Sequence, residues 1–109
     1  MDTLGKIFTP TLYSLQRVGK RMKSTKLRTL WEFNICDKKY RIELYISRIS
    51  GKRRIFVNGE LFAVEKKVRY TLATYSFNFG KNFLELKEIR NNYFDLFLDN
   101  VSFQNLYNS

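Results

Sequence analysis

Residues 50–59 read SGKRRIFVNG, and this stretch decides the fold of the 109-residue chain. It opens with a glycine turn that carries three cations, continues as a short alternating strand and ends at an Asn-Gly pair. Asn-Gly predicts a tight hairpin, because both central residues of that turn need a positive φ. Two turns with one strand between them therefore predict the middle of a β-meander, in which Ile55 and Val57 face the core.

The chain before this stretch contains two more alternating segments. Their apolar positions are Trp31, Phe33 and Ile35, followed by Tyr40, Ile42, Leu44 and Ile46. A period of two is typical of strands that bury one face, so we expect two strands joined by a turn at residues 37–39. Together with the central stretch, these segments predict three consecutive antiparallel strands.

The chain after the Asn-Gly pair shows short apolar runs separated by turn residues. We expect strands at residues 61–64, 70–74, 77–79, 83–90 and 94–98, with a last apolar piece at 101–103. Ile89 breaks the alternation of its strand, which predicts a β-bulge. No crossover helix fits between the strands, which excludes a parallel α/β sheet. The predicted fold class is all-β, an antiparallel β-sandwich of about eight short strands.

A basic segment precedes these strands. Residues 1–29 hold seven Lys and Arg against a single acid, a net +6 of the chain's +10. Thr9-Pro10 is typical of a helix N-terminus. Apolar residues then recur at helical spacing, namely Leu12, Leu15, Val18 and Met22. The sequence therefore predicts a basic docking arm over residues 1–29, with a short helix at 11–21, and a β-sandwich domain over residues 30–109.

Three interpretations of this arm compete. A mitochondrial presequence is amphipathic, basic and poor in acids, which the arm matches loosely. A membrane-surface helix would need a stronger apolar face, and the arm has no Trp. An arm that folds onto an acidic partner fits the density of positive charge, and we favour this interpretation.

The residue types disfavour catalysis and metal binding. The chain has no His and a single cysteine, Cys36, so the commonest general base and metal ligand are absent and no intrachain disulfide can form. Carboxylates that could pair are Glu43 with Glu85 or Glu88, and Asp95 with Asp99. Such spacings on strands are more typical of a solvated face. We predict no catalytic residue, no metal site and no cofactor, and no apolar run approaches the roughly 20 residues that would span a bilayer.

The net charge of +10 favours an acidic partner. The residues predicted to contact it are the cations of the arm and of the central turn, namely Arg17, Lys20, Arg21, Lys23, Lys26, Arg28, Arg48, Lys52, Arg53 and Arg54. Aromatic residues on the outward phase of their strands, Tyr45, Phe56 and Phe97, could stack on nucleic-acid bases. We expect contact with protein more than base stacking, because aromatics in this phase commonly pack against a neighbouring segment.

The order of several short motifs resembles the Fas apoptotic inhibitory molecule family. The motifs are Trp31-Glu32-Phe33, Ile42-Glu43-Leu44, Ser50-Gly51-Lys52-Arg53 with Val57-Asn58-Gly59, and Phe77-Asn78-Phe79-Gly80. The resemblance covers residues 31–107, one repeat of that family. It implies an antiparallel β-sandwich without catalytic activity or cofactor, in cytosolic proteins that act through protein contacts in cell survival and in limiting aggregation. This chain has one repeat rather than two, has Tyr40 where the family commonly has His, and adds the basic arm.

These observations predict a non-enzymatic adaptor. The sandwich would dock on a large assembly in the cytoplasm, and residues 1–29 would follow an acidic protein surface such as a microtubule-type tubulin lattice of the cytoskeleton. The alternative is an RNA-binding subunit of a ribonucleoprotein such as a ribosome, in which the arm would neutralise phosphates. A mitochondrial location is the alternative to a cytoplasmic one.

Overall fold

A computed structural model describes residues 8–67 and 71–109. Its strands are β1 (Phe8–Arg17), β2 (Lys26–Ile35), β3 (Lys38–Ser47), β4 (Lys52–Val57), β5 (Glu60–Lys66), β6 (Thr74–Phe79), β7 (Asn82–Arg90), β8 (Tyr93–Leu98) and β9 (Val101–Ser102). A 3-10 turn at Lys23–Thr25 precedes β2, and a short helix, α1 (Phe103–Tyr107), follows β9.

The strands form two antiparallel sheets that share one core. The first sheet has the order β1-β2-β3-β4-β5 and the second the order β6-β7-β8-β9, so every paired strand is also the neighbour in sequence. One hydrophobic cluster joins the two sheets, and its fully buried side chains include Trp31, Phe33 and Ile42 from the first and Leu86 and Phe94 from the second. The all-β prediction and its inward-facing alternation are thus confirmed.

The turns show why this sequence forms a meander. Asn58 and Gly59 have φ angles of 51° and 85°, which confirms the predicted hairpin between β4 and β5. The turn between β2 and β3 lies at Cys36 and Asp37 rather than at residues 37–39, with Cys36 at a φ of 54°. The bulge at Ile89 is confirmed by a register shift between β7 and β8 at that residue.

The short helix predicted at residues 11–21 is wrong, because this segment extends the sheet. β1 pairs with β2 along its length, with Tyr13 opposite Trp31. Strand pairing buries Phe8 completely, at 5.2 Å from the Phe33 ring in an edge-to-face contact. Three of the four residues at helical spacing, Leu12, Leu15 and Met22, stay exposed instead, Leu15 at 41%. Burial of aromatic side chains against an existing strand therefore outweighs the helical spacing of the apolar residues.

Three further features refine the prediction. The boundary drawn between residues 29 and 30 falls inside β2, so residues 8–29 supply β1 and the first part of β2. Of the strand expected at 70–74, Tyr70 lies outside the described residues, 71–73 are not in a strand and Thr74 begins β6. The last apolar piece turns into α1, in which Phe103 is fully buried and packs near Phe8 at a ring distance of 6.2 Å.

Candidate functional site: a cationic sheet face

Alternation places a row of cationic and aromatic side chains on the outer surface of the five-stranded sheet. In the strand register, Arg28 lies beside Tyr45, and Tyr45 lies beside Arg54. These residues alternate along their strands with the buried core residues, so their side chains point away from the core. We call the surface the outer cationic face, and its members are Lys26, Arg28, Tyr45, Lys52, Arg54 and Phe56.

One carboxylate balances part of this charge. Glu43 accepts hydrogen bonds from Arg28 Nε at 2.9 Å and from the Tyr45 hydroxyl at 3.2 Å. Burial lowers the pKa of the Arg28 guanidinium, but the hydrogen bond and charge of Glu43, followed by Tyr45, outweigh burial and raise that pKa above its ordinary value. The other three cations of the outer cationic face form no ion pair within the part of the chain that the structure describes. They are available to an acidic partner.

Two shallow clefts adjoin on this face. The first has a volume of about 250 Å³ and includes Glu43 and Phe56 in its lining, and the second has about 160 Å³ and includes Lys52. Both are lined by Lys26, Tyr45 and Arg54. The Tyr45 and Phe56 rings meet edge to face, with centroids 5.4 Å apart. Because each ring is half-buried and engages the other, neither presents a free platform for stacking a base.

The outer cationic face continues into an apolar edge strand. β5 lies at the end of its sheet and exposes Leu61 at 54% and Val64 at 49%, whereas the Phe62 ring packs against Phe77 of the second sheet, with centroids 4.4 Å apart. In the register of β4 and β5, Leu61 lies opposite Phe56 and Val64 opposite Arg54. An edge strand offers unpaired backbone groups, and exposed apolar side chains next to it are typical of protein interaction surfaces.

Arg53 was predicted to contact a partner, and this prediction is wrong because its side chain is fully buried. It shares the inward phase of β4 and donates through Nη1 and Nη2 to Glu88 at 3.2 and 3.1 Å. Arg53 also donates to the Tyr75 hydroxyl at 2.9 Å. Glu88 accepts the backbone N–H groups of Ala73 and Asn92 as well, so the pair links both sheets and is structural.

Electrostatics keep this buried pair ionised. Burial acts to raise the pKa of Glu88, but the Ala73 and Asn92 N–H groups and then Arg53 outweigh burial and lower that pKa below its ordinary value. Alternation alone could have indicated that Arg53 points inward. The sequence suggested Glu43 and Glu88 as carboxylates that could pair with each other. In the structure they bind different arginines instead, Glu43 binding Arg28 and Glu88 binding Arg53.

The other predicted partner-contacting residues fall into two groups. Lys20, Arg21 and Lys23 lie exposed in the connection between β1 and β2. Arg17 and Arg48 line a different cleft, described below, together with Arg90, which the sequence reasoning missed. The structure therefore brings together only four of the ten predicted cations on the outer cationic face, namely Lys26, Arg28, Lys52 and Arg54.

Residues 8–67 and 71–109 show neither a metal-binding cluster nor a membrane-spanning helix. This part of the chain contains no group of three or more Cys, Asp or Glu side chains arranged to hold a metal ion. None of its helices is long and apolar enough to cross a membrane. Cys36 is a free, exposed cysteine in the turn between β2 and β3.

Comparisons with protein-family models, curated proteins and solved structures give no significant match. The resemblance to the Fas apoptotic inhibitory molecule family therefore stays a prediction from the sequence motifs.

Proposed function

We propose that this protein is a non-enzymatic adaptor that binds an acidic protein surface through the outer cationic face and the adjoining edge of β5. The observation that carries this proposal is the direct continuity of unpaired cations with exposed apolar side chains. Arg54 lies opposite Val64, and Phe56 lies opposite Leu61. Protein interfaces combine an apolar centre with a charged rim, whereas a nucleic-acid backbone offers nothing to an exposed aliphatic strand.

The scaffold in this proposal is a β-sandwich, with the two sheets facing each other across the shared core. The covered inner face holds Arg53 and Glu88, which leaves the outer surface of the first sheet free to bind. Lys20, Arg21 and Lys23 extend the positive charge beyond the sheet in the connection between β1 and β2. We propose that these residues steer an acidic lattice, of which polymerised tubulin is the example to test, toward the sheet.

The first experiment measures co-sedimentation of the full chain with polymerised tubulin. Arg54→Glu should weaken binding by about tenfold or more, because a charge reversal at the centre of a complementary surface costs at least 1.4 kcal/mol. Lys81→Glu is the matched control, since Lys81 is an exposed cation in the turn between β6 and β7. Equal effects of the two reversals would show that only net charge matters and would contradict a defined face.

A second variant separates protein binding from nucleic-acid binding. Leu61→Asn removes apolar surface without changing charge, and it should weaken binding to the acidic protein several-fold. The same variants are titrated with a single-stranded polyuridine probe over a range of salt concentrations. The adaptor proposal fails if polyuridine binds more tightly than the acidic protein and its affinity falls log-linearly with salt and is unchanged by Leu61→Asn. In that case the RNA alternative replaces the adaptor proposal.

The contribution of the basic connection between β1 and β2 needs point substitutions rather than a deletion of residues 1–29. Removing residues 1–29 would also remove β1 and the start of β2, and with them the buried Phe8. Substituting Lys20, Arg21 and Lys23 together by Gln keeps the strands intact. A slower association with the acidic lattice, at an unchanged dissociation rate, would support steering by this connection.

A further inference from the structure

An open cleft of about 440 Å³ lies where the ends of strands from both sheets meet. It contains three arginines, and each is placed by a different strand. Arg17 is the last residue of β1, Arg48 follows β3, and Arg90 is the last residue of β7. Residues so far apart in sequence share this cleft only because the fold brings these strand ends together. The cleft shares no lining residue with the two clefts of the outer cationic face.

Two of the three arginines are held in position. The backbone N–H of Arg48 donates to Thr25 O at 2.8 Å, and Arg48 Nη1 donates to Ser24 O at 3.3 Å. The guanidinium of Arg90 lies over the Tyr93 ring, 4.8 Å from its centroid. A cation held over an aromatic face keeps its N–H groups free along its edge, where they can still donate to a ligand.

The charge of the cleft is not balanced by the described protein groups. Its lining contains three arginines and no carboxylate, and none of the three arginines forms an ion pair in residues 8–67 and 71–109. Glu88, two residues before Arg90, is fully buried and bound to Arg53. The side chain of Asn91, which also lines the cleft, accepts a hydrogen bond from Lys67, so a fourth cation lies at its margin.

We propose that this cleft binds the phosphoryl group of a small phosphorylated ligand. Guanidinium groups match the oxygens of a phosphate in pairs of parallel hydrogen bonds, which makes arginine the preferred residue for a phosphoryl dianion. Leu15 and Leu27 add an apolar wall to the same cleft, and its volume lies in the range of small-molecule sites. The ligand class is a phosphate monoester or a pyrophosphate. This inference does not depend on the adaptor proposal.

The test is a calorimetric titration of the full chain with pyrophosphate at constant ionic strength set by chloride. We expect saturable binding with one site per chain, weakened about tenfold by Arg90→Gln, because glutamine lacks both the positive charge and the paired N–H donors that arginine offers to a phosphate. Arg17→Gln should act in the same direction. Arg21→Gln is the matched control, because Arg21 is an exposed arginine outside the cleft, and it should change the affinity less than twofold.

Further arms distinguish the sources of the phosphoryl group. Inorganic phosphate and a nucleoside diphosphate are titrated in parallel. A nucleoside diphosphate that binds more tightly than pyrophosphate supports a nucleotide ligand. Equal affinities of the nucleoside diphosphate and pyrophosphate support recognition of the phosphoryl group alone. Absence of saturable pyrophosphate binding, or equal weakening by Arg21→Gln and Arg90→Gln, would overturn the proposal. Since Arg90 lies outside the outer cationic face, Arg90→Gln should leave binding to polymerised tubulin unchanged, so the two proposals fail separately.

Discussion

Arg53→Met is the substitution that tests the buried pair most directly. The guanidinium and the Glu88 carboxylate are both fully buried, and two hydrogen bonds of 3.2 and 3.1 Å join them. The guanidinium also packs over the Phe94 ring, 5.2 Å from its centroid. Methionine would fill much of the same space but leave the Glu88 charge without its cation. Removing one partner of a buried pair costs about 3–5 kcal/mol, a large part of the 5–15 kcal/mol that stabilises a typical domain.

Urea unfolding at pH 7 measures this cost as a change in the free energy of unfolding. Arg54→Met is the matched control, because Arg54 is the exposed neighbour, and its effect should stay within about 0.5 kcal/mol. The reasoning is refuted if Arg53→Met and Arg54→Met destabilise the protein equally. That result would mean that Glu88 is stabilised by the Ala73 and Asn92 N–H groups alone.

The same pair predicts a pH dependence with a defined sign. The pKa of Glu88 in the folded protein lies below its ordinary value of 4.5, so this group stabilises the fold above pH 4.5. The stabilisation is lost as the pH falls from 4.5 through the lower folded-state pKa. Glu88→Gln should be less stable than the wild type at pH 7, and this difference should shrink as the pH falls through the acid range. A difference independent of pH would contradict the assigned ionisation.

Two further substitutions test the core and the central hairpin. Phe103→Ala should destabilise the fold by about 3–5 kcal/mol, because its fully buried ring joins α1 to the sheets, whereas the exposed Tyr107→Ala should cost clearly less; equal midpoints of urea unfolding for the two variants would contradict this. Gly59→Ala should lower the free energy of unfolding by about 1–2 kcal/mol, since Gly59 has a φ of 85°. No atom lies within 4 Å of an added Cβ there, so an unchanged melting temperature would show that the turn changes its type without cost.

The sequence was sufficient to predict strands and turns where the strand alternation is regular and the turn residues strongly favour one turn type. β3 alternates without interruption, and Asn58-Gly59 can hardly adopt any other hairpin, so both were predicted correctly. β1 was missed because Leu12 and Leu15 suit a helix, whereas the decisive contact is between Phe8 and Phe33, which are distant in sequence. Local sequence patterns do not show which segment will bury an aromatic ring against a ring that is distant in sequence.

The sites were harder to predict than the strands, because the role of a charged group depends on its partners, and these can lie in the other sheet. The Glu88 partner of Arg53 lies 35 residues away, and nothing local distinguishes Arg53 from Arg54 except its phase. The three-arginine cleft combines residues 17, 48 and 90, so no window of the sequence contains it. A basic composition predicts an acidic ligand, but only the fold divides the cations into a buried pair, a sheet face and a cleft.

The division of the cations begins in β4 itself. Two adjacent arginines could exchange roles if β4 slipped by one residue, which would send Arg54 toward Glu88 and Arg53 to the outer surface. The same slip would expose Ile55, which is now 1% exposed, and would pull the chain out of the hairpin that Gly59 fixes. The apolar alternation and the turn therefore select the register, and the buried pair strengthens it. The outer cationic face consequently depends on the short strand between the two turns, because that strand decides which arginine faces a partner.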